Sequence, residues 1–157
     1  MWIVVEKKVV FITGASRGIG AATAKKFLSE GWMVAGFYNC TECKHDDNLK
    51  YFQIDVADEN SVKRAFDMAF SEFGRVDCLV NCAGIILNKK LIEYTVDDFA
   101  KIIGVNEMGV YLCTKEILEK MLEGTIVNVG SPSAFAGNYD SVYAATKGAV
   151  HSFTRSL

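Results

Sequence analysis

The sequence has no surplus of either charge: seventeen Lys and Arg stand against nineteen Asp and Glu, a formal net charge of −2. Its basic pairs, Lys7-Lys8, Lys25-Lys26 and Lys89-Lys90, are scattered. A nucleic-acid groove needs a concentrated positive field, so no nucleic-acid partner is expected. There is also no apolar run near the ~20 residues that span a membrane. The opening Met1-Trp2-Ile3-Val4-Val5 is too short for a secretory leader and lacks a basic start. A soluble, cytoplasmic protein without a membrane partner is the expectation. Five cysteines are an odd count, which argues against a closed disulfide framework. Cys40, Cys43 and His45 lie close together, but a zinc site takes four ligands and the other histidine is the distant His151. No metal is expected. Neither a repeat, a linker nor a low-complexity stretch interrupts the chain, and 157 residues suit one domain spanning 1–157.

What is present is core material. Half the residues are hydrophobic and 11% are aromatic, which excludes wholesale disorder. Val9-Val10-Phe11-Ile12-Thr13 reads as a strand covered on both faces, since its β-branched run shows no polar alternation. A helix follows over about 18–30, then strands over 33–37 and 50–54. Asp58 can cap the next helix, in which Val62, Ala65, Phe66, Ala69, Phe70 and Phe73 share one face and Gly74 marks the end. Cys78-Leu79-Val80 is the core of a fourth strand. Thr95 and Asp98 form a capping-box pattern ahead of a short helix. A further helix is expected over 106–121, with Val110, Cys113, Ile117 and Met121 on one face. A fifth strand over 125–129 and a helix from about residue 141 complete the pattern, and the polar stretch 39–48 reads as a surface loop. Strands alternating with helices imply a mainly parallel sheet, doubly wound by right-handed crossovers into an α/β, Rossmann-like, three-layer α/β/α fold.

Thr13-Gly14-Ala15-Ser16-Arg17-Gly18-Ile19-Gly20 joins the first strand directly to the first helix. At such a turn, backbone N–H groups and the positive helix end face an anion, and glycines let a pyrophosphate approach. Asp55, expected at the end of the third strand, could accept from an adenine amino group; a turn or helix-capping aspartate is the alternative. Asn81-Cys82-Ala83-Gly84 closes the fourth strand with small residues that leave room for a ribose, although alone it is also a turn signal.

Tyr143-Ala144-Ala145-Thr146-Lys147 sets Tyr and Lys one helical turn apart. A tyrosine hydroxyl titrates near pH ~10, and an adjacent ammonium favours the phenolate. The same spacing also occurs in plain surface pairs. Ser131, however, is expected at the carboxyl end of the fifth strand, the sheet edge where parallel sheets bind ligands.

These elements, with Asp55-Val56, Asn106 and Ile126-Val127-Asn128-Val129-Gly130-Ser131, occur in the order found in the short-chain dehydrogenase/reductase family, which the sequence resembles in its compact branch. The resemblance implies transfer of hydride between a nicotinamide cofactor and a carbonyl or secondary-alcohol substrate. Tyr143 would be the general acid or base, and Ser131 would bond the substrate oxygen. Lys147 would favour the Tyr143 phenolate and hold the nicotinamide ribose. Asn106 would support a water-linked proton relay behind Lys147, or serve as a helix N-cap. Gly14, Ser16, Arg17, Gly18, Ile19, Gly20, Tyr38, Asp55, Val56, Asn81, Ala83 and Gly84 would bind the cofactor with Tyr143 and Lys147. NAD-specific members carry Asp at the end of the second strand; here that position falls on Tyr38, followed by Asn39. With Arg17 in the glycine turn, NADP is preferred over NAD.

Family members are longer. The resemblance implies that the C-terminal strands and substrate-covering helices lie beyond Leu157, leaving 128–130 on a sheet edge. Glu107, and Cys82 where Asn is common, are smaller departures. A dinucleotide-binding remnant without turnover is therefore an alternative reading. An epimerase relative is disfavoured by the three-residue gap between Gly14 and Gly18. The apolar face Val110, Cys113, Ile117, Met121 suggests a homo-oligomer built on the helices near Asn106 and Ser141.

Overall fold

The structure is a computed structural model that describes residues 7–41 and 43–157; the opening segment 1–5 lies outside the described residues. Five strands form one sheet: β1 (Val9–Thr13), β2 (Met33–Tyr38), β3 (Leu49–Gln53), β4 (Cys78–Asn81) and β5 (Thr125–Asn128). Their order is β3-β2-β1-β4-β5, and every pairing is parallel. Helices α1 (Gly18–Ser29), α2 (Glu59–Phe73), α3 (Val96–Ile103), α4 (Gly109–Leu118), α5 (Ser133–Ala136) and α6 (Ser141–Ser156) connect and cover them.

The central strand β1 is buried along its whole length because alternate side chains enter two separate cores. On one face Phe11, Phe37 and Leu79 pack with Val62, Ala65, Phe66 and Ala69 of α2 and with Cys113 and Ile117 of α4. On the other, Val10, Ile12, Val34 and Val80 pack with Ala24 of α1. Phe11, Phe37 and Phe66 form an aromatic triad with ring centroids 4.8–5.5 Å apart. Each is fully buried, which contributes about 1.5–3 kcal/mol per side chain. The α2 stripe read from sequence is thus the face against the sheet. Its caps are also as expected: Asp58 accepts from Ser61 N at 2.8 Å, and Gly74 ends the helix at φ 73.

Three expectations need correction. The helix expected over 106–121 does not start at Asn106. A continuous helix starts at Val96, capped by Thr95 and Asp98, and passes through a π-helical turn at Gly104–Met108 into α4. The bracketing glycines pack tightly: a Cβ on Gly109 would lie 2.8 Å from the Val56 side chain, and one on Gly104 3.4 Å from that of Ala57. Second, Val110, Cys113 and Ile117 are not free for a partner, because they are buried in this chain's own structure. Third, Asp55 does not end β3, which stops at Gln53. Two short elements were not anticipated, the 3-10 turn Leu91–Glu93 and α5. β5 stands at the sheet edge with α6 beside it, where Asn128 Nδ2 donates to Thr154 Oγ1 at 2.9 Å. Among the described residues, no helix is long and apolar enough to cross a membrane, and no cluster of His, Cys, Asp and Glu could hold a metal.

Candidate active site

With all strands parallel, their carboxyl ends share one edge, and the turn after β1, Tyr38, the segment after β3, residues 81–84 and Ser131 all reach it. Thr13 Oγ1 knits the two central turns together, accepting from Cys82 N at 3.0 Å and Ala83 N at 3.1 Å. Gly14 adopts φ 68, and a Cβ there would lie 2.9 Å from Ala83 Cα. A Cβ on Gly20 would lie 2.2 Å from Gly14 O, so α1 runs against the turn with no space for a side chain. Gly18, at φ 55, has open space in front of it. Arg17 occupies the N-cap position without capping through its side chain, and the first turn of α1 holds no acidic residue. Exposed N–H groups at a positive helix end, faced by open space, fit a diphosphate. Ser16 is half-buried there, and Ile19 projects outward, 66% exposed.

Tyr38 ends β2, half-buried, with its ring 6.5 Å from that of Tyr51. Asp55 is exposed and Oδ1 accepts from Ala57 N at 3.0 Å, the turn-aspartate arrangement. Val56 is buried. The Asn81 side chain points into the protein, where Nδ2 donates to Asn128 Oδ1 at 2.8 Å and to Thr114 Oγ1 at 3.1 Å.

The turn after β4 also joins the two halves of the site. While Ala83 abuts Gly14, a Cβ on Gly84 would lie 3.5 Å from Asn106 Oδ1 and 3.8 Å from Lys147 Nζ. Lys147 is buried, its Nζ donating to Val129 O at 2.8 Å and lying 5.9 Å from the ring centroid of half-buried Tyr143. Burial pushes its ammonium below the ordinary lysine value, with Cys82 acting in the opposite direction. Ser131 Oγ accepts from Ser133 N at 3.2 Å, and Ser131 and Lys147 line a cavity of about 110 Å³ beside β5.

Asn106 is not an N-cap. Fully buried in the π-helical turn, it accepts from Ile85 N at 2.8 Å and donates to Ile85 O at 2.8 Å and Thr146 Oγ1 at 3.2 Å. A π-helical turn commonly marks a functional position, because the extra residue re-aims a side chain.

Sequence reasoning missed Asp140. It caps α6 by accepting from Tyr143 N at 2.9 Å, and it also accepts from the Tyr94 hydroxyl at 2.6 Å and Asn88 N at 2.9 Å. Burial works to raise its carboxyl; hydrogen bonds from Tyr94 and from the N–H groups of Tyr143, Asn88 and Leu87 outweigh that and hold it below the ordinary aspartate value. Its place directly before the helix start was a legible N-cap signal, whereas nothing in the sequence pointed to Tyr94.

Comparison with known proteins agrees with this fold. The sequence pattern described as short chain dehydrogenase matches residues 8–157. The chain belongs to that family. It is 33% identical to the meso-2,3-butanediol dehydrogenase of Serratia marcescens over 97% of this chain and 64% of that enzyme. It superposes on ElxO with NADP bound at a TM-score of 0.87, with 35% identity over 94% of this chain and 65% of the other. For the 3-ketoacyl-(acyl-carrier-protein) reductase of Brucella melitensis complexed with NADH the TM-score is 0.90, with 32% identity over 97% and 69%. The chain spans 60–64% of the length of the first curated relatives it matches.

Proposed function

We propose that this chain carries the cofactor-binding and proton-transfer machinery of a nicotinamide-dependent oxidoreductase acting on a carbonyl or secondary-alcohol substrate. The observation that carries this reading is the position of residues 83–84, against the glycine turn on one side and against Asn106 and Lys147 on the other. A nucleotide seated on the turn after β1 would therefore extend toward the side chains suited to proton transfer. When bound, the nicotinamide supplies or accepts the hydride. In the reducing direction the Tyr143 hydroxyl gives its proton to the substrate oxygen, and Ser131 donates a hydrogen bond to that oxygen as charge develops on it. The Lys147 ammonium stabilises the phenolate left on Tyr143 and holds the nicotinamide ribose. Asn106 supports the water-linked resupply of that proton by fixing Thr146, the residue before Lys147. In the oxidising direction the Tyr143 phenolate takes the alcohol proton.

NADP is the proposed cofactor in preference to NAD. The support is Arg17, exposed and with its side chain uncommitted as a cap, together with the uncharged Tyr38 where a carboxylate would repel a 2′-phosphate. Fluorescence titration of the 157-residue chain with NADPH and NADH tests the assignment. Arg17→Ala is expected to weaken NADPH by about tenfold, the loss of one charge-assisted contact, and NADH by less than about twofold. Equal losses would mean that Arg17 does not read the 2′-phosphate.

A second copy of the chain is the proposed partner. Its seat is the groove of about 150 Å³ between α4 and α6 whose lining includes Glu107, Tyr111, Ala149 and Phe153, rather than the buried Val110, Cys113 and Ile117. Sedimentation at micromolar concentration should show a dimer or larger species, and a monodisperse monomer rejects the assembly.

A further inference from the structure

We propose that Asp140, with Tyr94 as its partner, is a positioning residue that clamps the amino end of α6 to the loop 85–90, so that Tyr143 and this loop form one rigid wall of the site. The catalytic consequence rests on the oxidoreductase reading above; the clamp itself rests on geometry.

The Asp140 carboxylate is 1% exposed and serves three segments at once. Oδ1 accepts from Tyr143 N, inside the first turn of α6, and from the Tyr94 hydroxyl just before α3. Oδ2 accepts from Asn88 N, in the loop that follows β4. A helix N-cap needs one oxygen and works as well with Asn as with Asp. Here the second oxygen holds a segment 52 residues away in sequence. The cost of burying a carboxylate is offset only when its lone pairs meet several donors, and these donors are largely main-chain groups already fixed by the fold. Burial, and then the Asp140 carboxylate beside it, push the Tyr94 hydroxyl well above the ordinary tyrosine value, so it remains a donor at working pH.

The loop shows the imprint of this contact. Asn88 has φ 55, the non-glycine residue with positive φ among the described residues, and that conformation accompanies the presentation of its N–H to Asp140. The same loop is tied a second time: Asn106 bonds both main-chain groups of Ile85 and also Thr146 of α6. Two buried polar side chains, Asn106 and Asp140, therefore couple the loop to α6, one beside Lys147 and the other beside Tyr143. Asn138 extends the lock outward, accepting from Asp140 N at 3.0 Å and donating to Ser133 Oγ of α5 at 3.0 Å.

The test uses Asp140→Asn and Tyr94→Phe in the 157-residue chain, read by hydrogen exchange, nucleotide titration and turnover. Asn retains one cap acceptor but replaces the other oxygen with a donor. Amides in 85–90 and in the first turn of α6 should therefore exchange together about tenfold faster, an opening made easier by one lost contact. NADPH affinity should stay within about twofold, while kcat falls by about tenfold to a hundredfold from misplacement of the Tyr143 hydroxyl. Tyr94→Phe should loosen the same two segments to a smaller degree, and it decides the matter if Asp140→Asn does not fold. Protection unchanged in 85–90 in both variants overturns the clamp, because capping alone is satisfied by Asn. A wild-type chain that binds no nucleotide refutes the proposed function, and the exchange measurement still decides the clamp.

Discussion

Tyr143→Phe is expected to abolish turnover and to leave nucleotide affinity within about threefold, the scale of one weak contact. The substitution removes one oxygen from a half-buried side chain and little else. The ring stays beside the Lys147 ammonium, 5.9 Å from its centroid, and the main-chain N–H of residue 143 keeps its bond to Asp140. Helix α6 and the glycine turn are therefore preserved, and a thermal melt should stay close to that of the parent. Under the proposed function, what disappears is the group that would exchange a proton with the substrate oxygen. General acid–base catalysis accounts for about 10²–10⁴ in rate, so the residual rate should fall below detection in an NADPH-consumption assay on ketones. An unchanged rate would remove Tyr143 from the mechanism. Loss of nucleotide binding alongside turnover would instead give Tyr143 a structural role.

Much of this site was legible because it depends on local chemistry. Val9 to Thr13 announced a strand covered on both faces, and glycines placed directly after it announced a turn in which backbone packs closely on backbone. The caps Asp58, Gly74 and Thr95 act within a few residues, so sequence spacing reports them directly. What remained illegible depends on distant partners. Periodicity showed that Val110, Cys113 and Ile117 share a face, but a face is apolar whether a second copy or the chain's own sheet covers it, and here it is not left free. Asn106 gave no sign of a π-helical turn, in which its side chain bonds Ile85, a residue on another segment. Asp55 lies just past the end of β3 with one oxygen turned to Ala57, a local bond that competes with any ligand. The second oxygen of Asp140 illustrates the same limit: its helix-capping role is local, and its hold on Asn88 is not.

Gly20→Ala tests the turn between β1 and α1 apart from the remainder of the fold. The added Cβ would stand 2.2 Å from Gly14 O, 2.8 Å from Gly14 C and 3.1 Å from Ala15 Cα, all main-chain atoms that no side-chain rotation can relieve. Either α1 moves off the sheet or the turn after β1 opens. The aromatic triad on the opposite face of the sheet is untouched, so the chain should still fold. Overpacking of this kind costs about 2–3 kcal/mol. For a chain of this length that corresponds to a melting temperature lower by about 6–9 °C. Nucleotide affinity should suffer more, by about a hundredfold or greater, because the N–H groups of the turn no longer converge on one anion. Gly148→Ala supplies the control: an added Cβ there meets nothing within 4 Å. In a helix interior the same exchange should raise stability by about 0.5–1 kcal/mol. Opposite signs in the two melts, with nucleotide binding lost only at Gly20, would assign the diphosphate to the turn between β1 and α1. Wild-type affinity in Gly20→Ala would place the nucleotide elsewhere and remove the basis for Tyr143 and Lys147 as its neighbours.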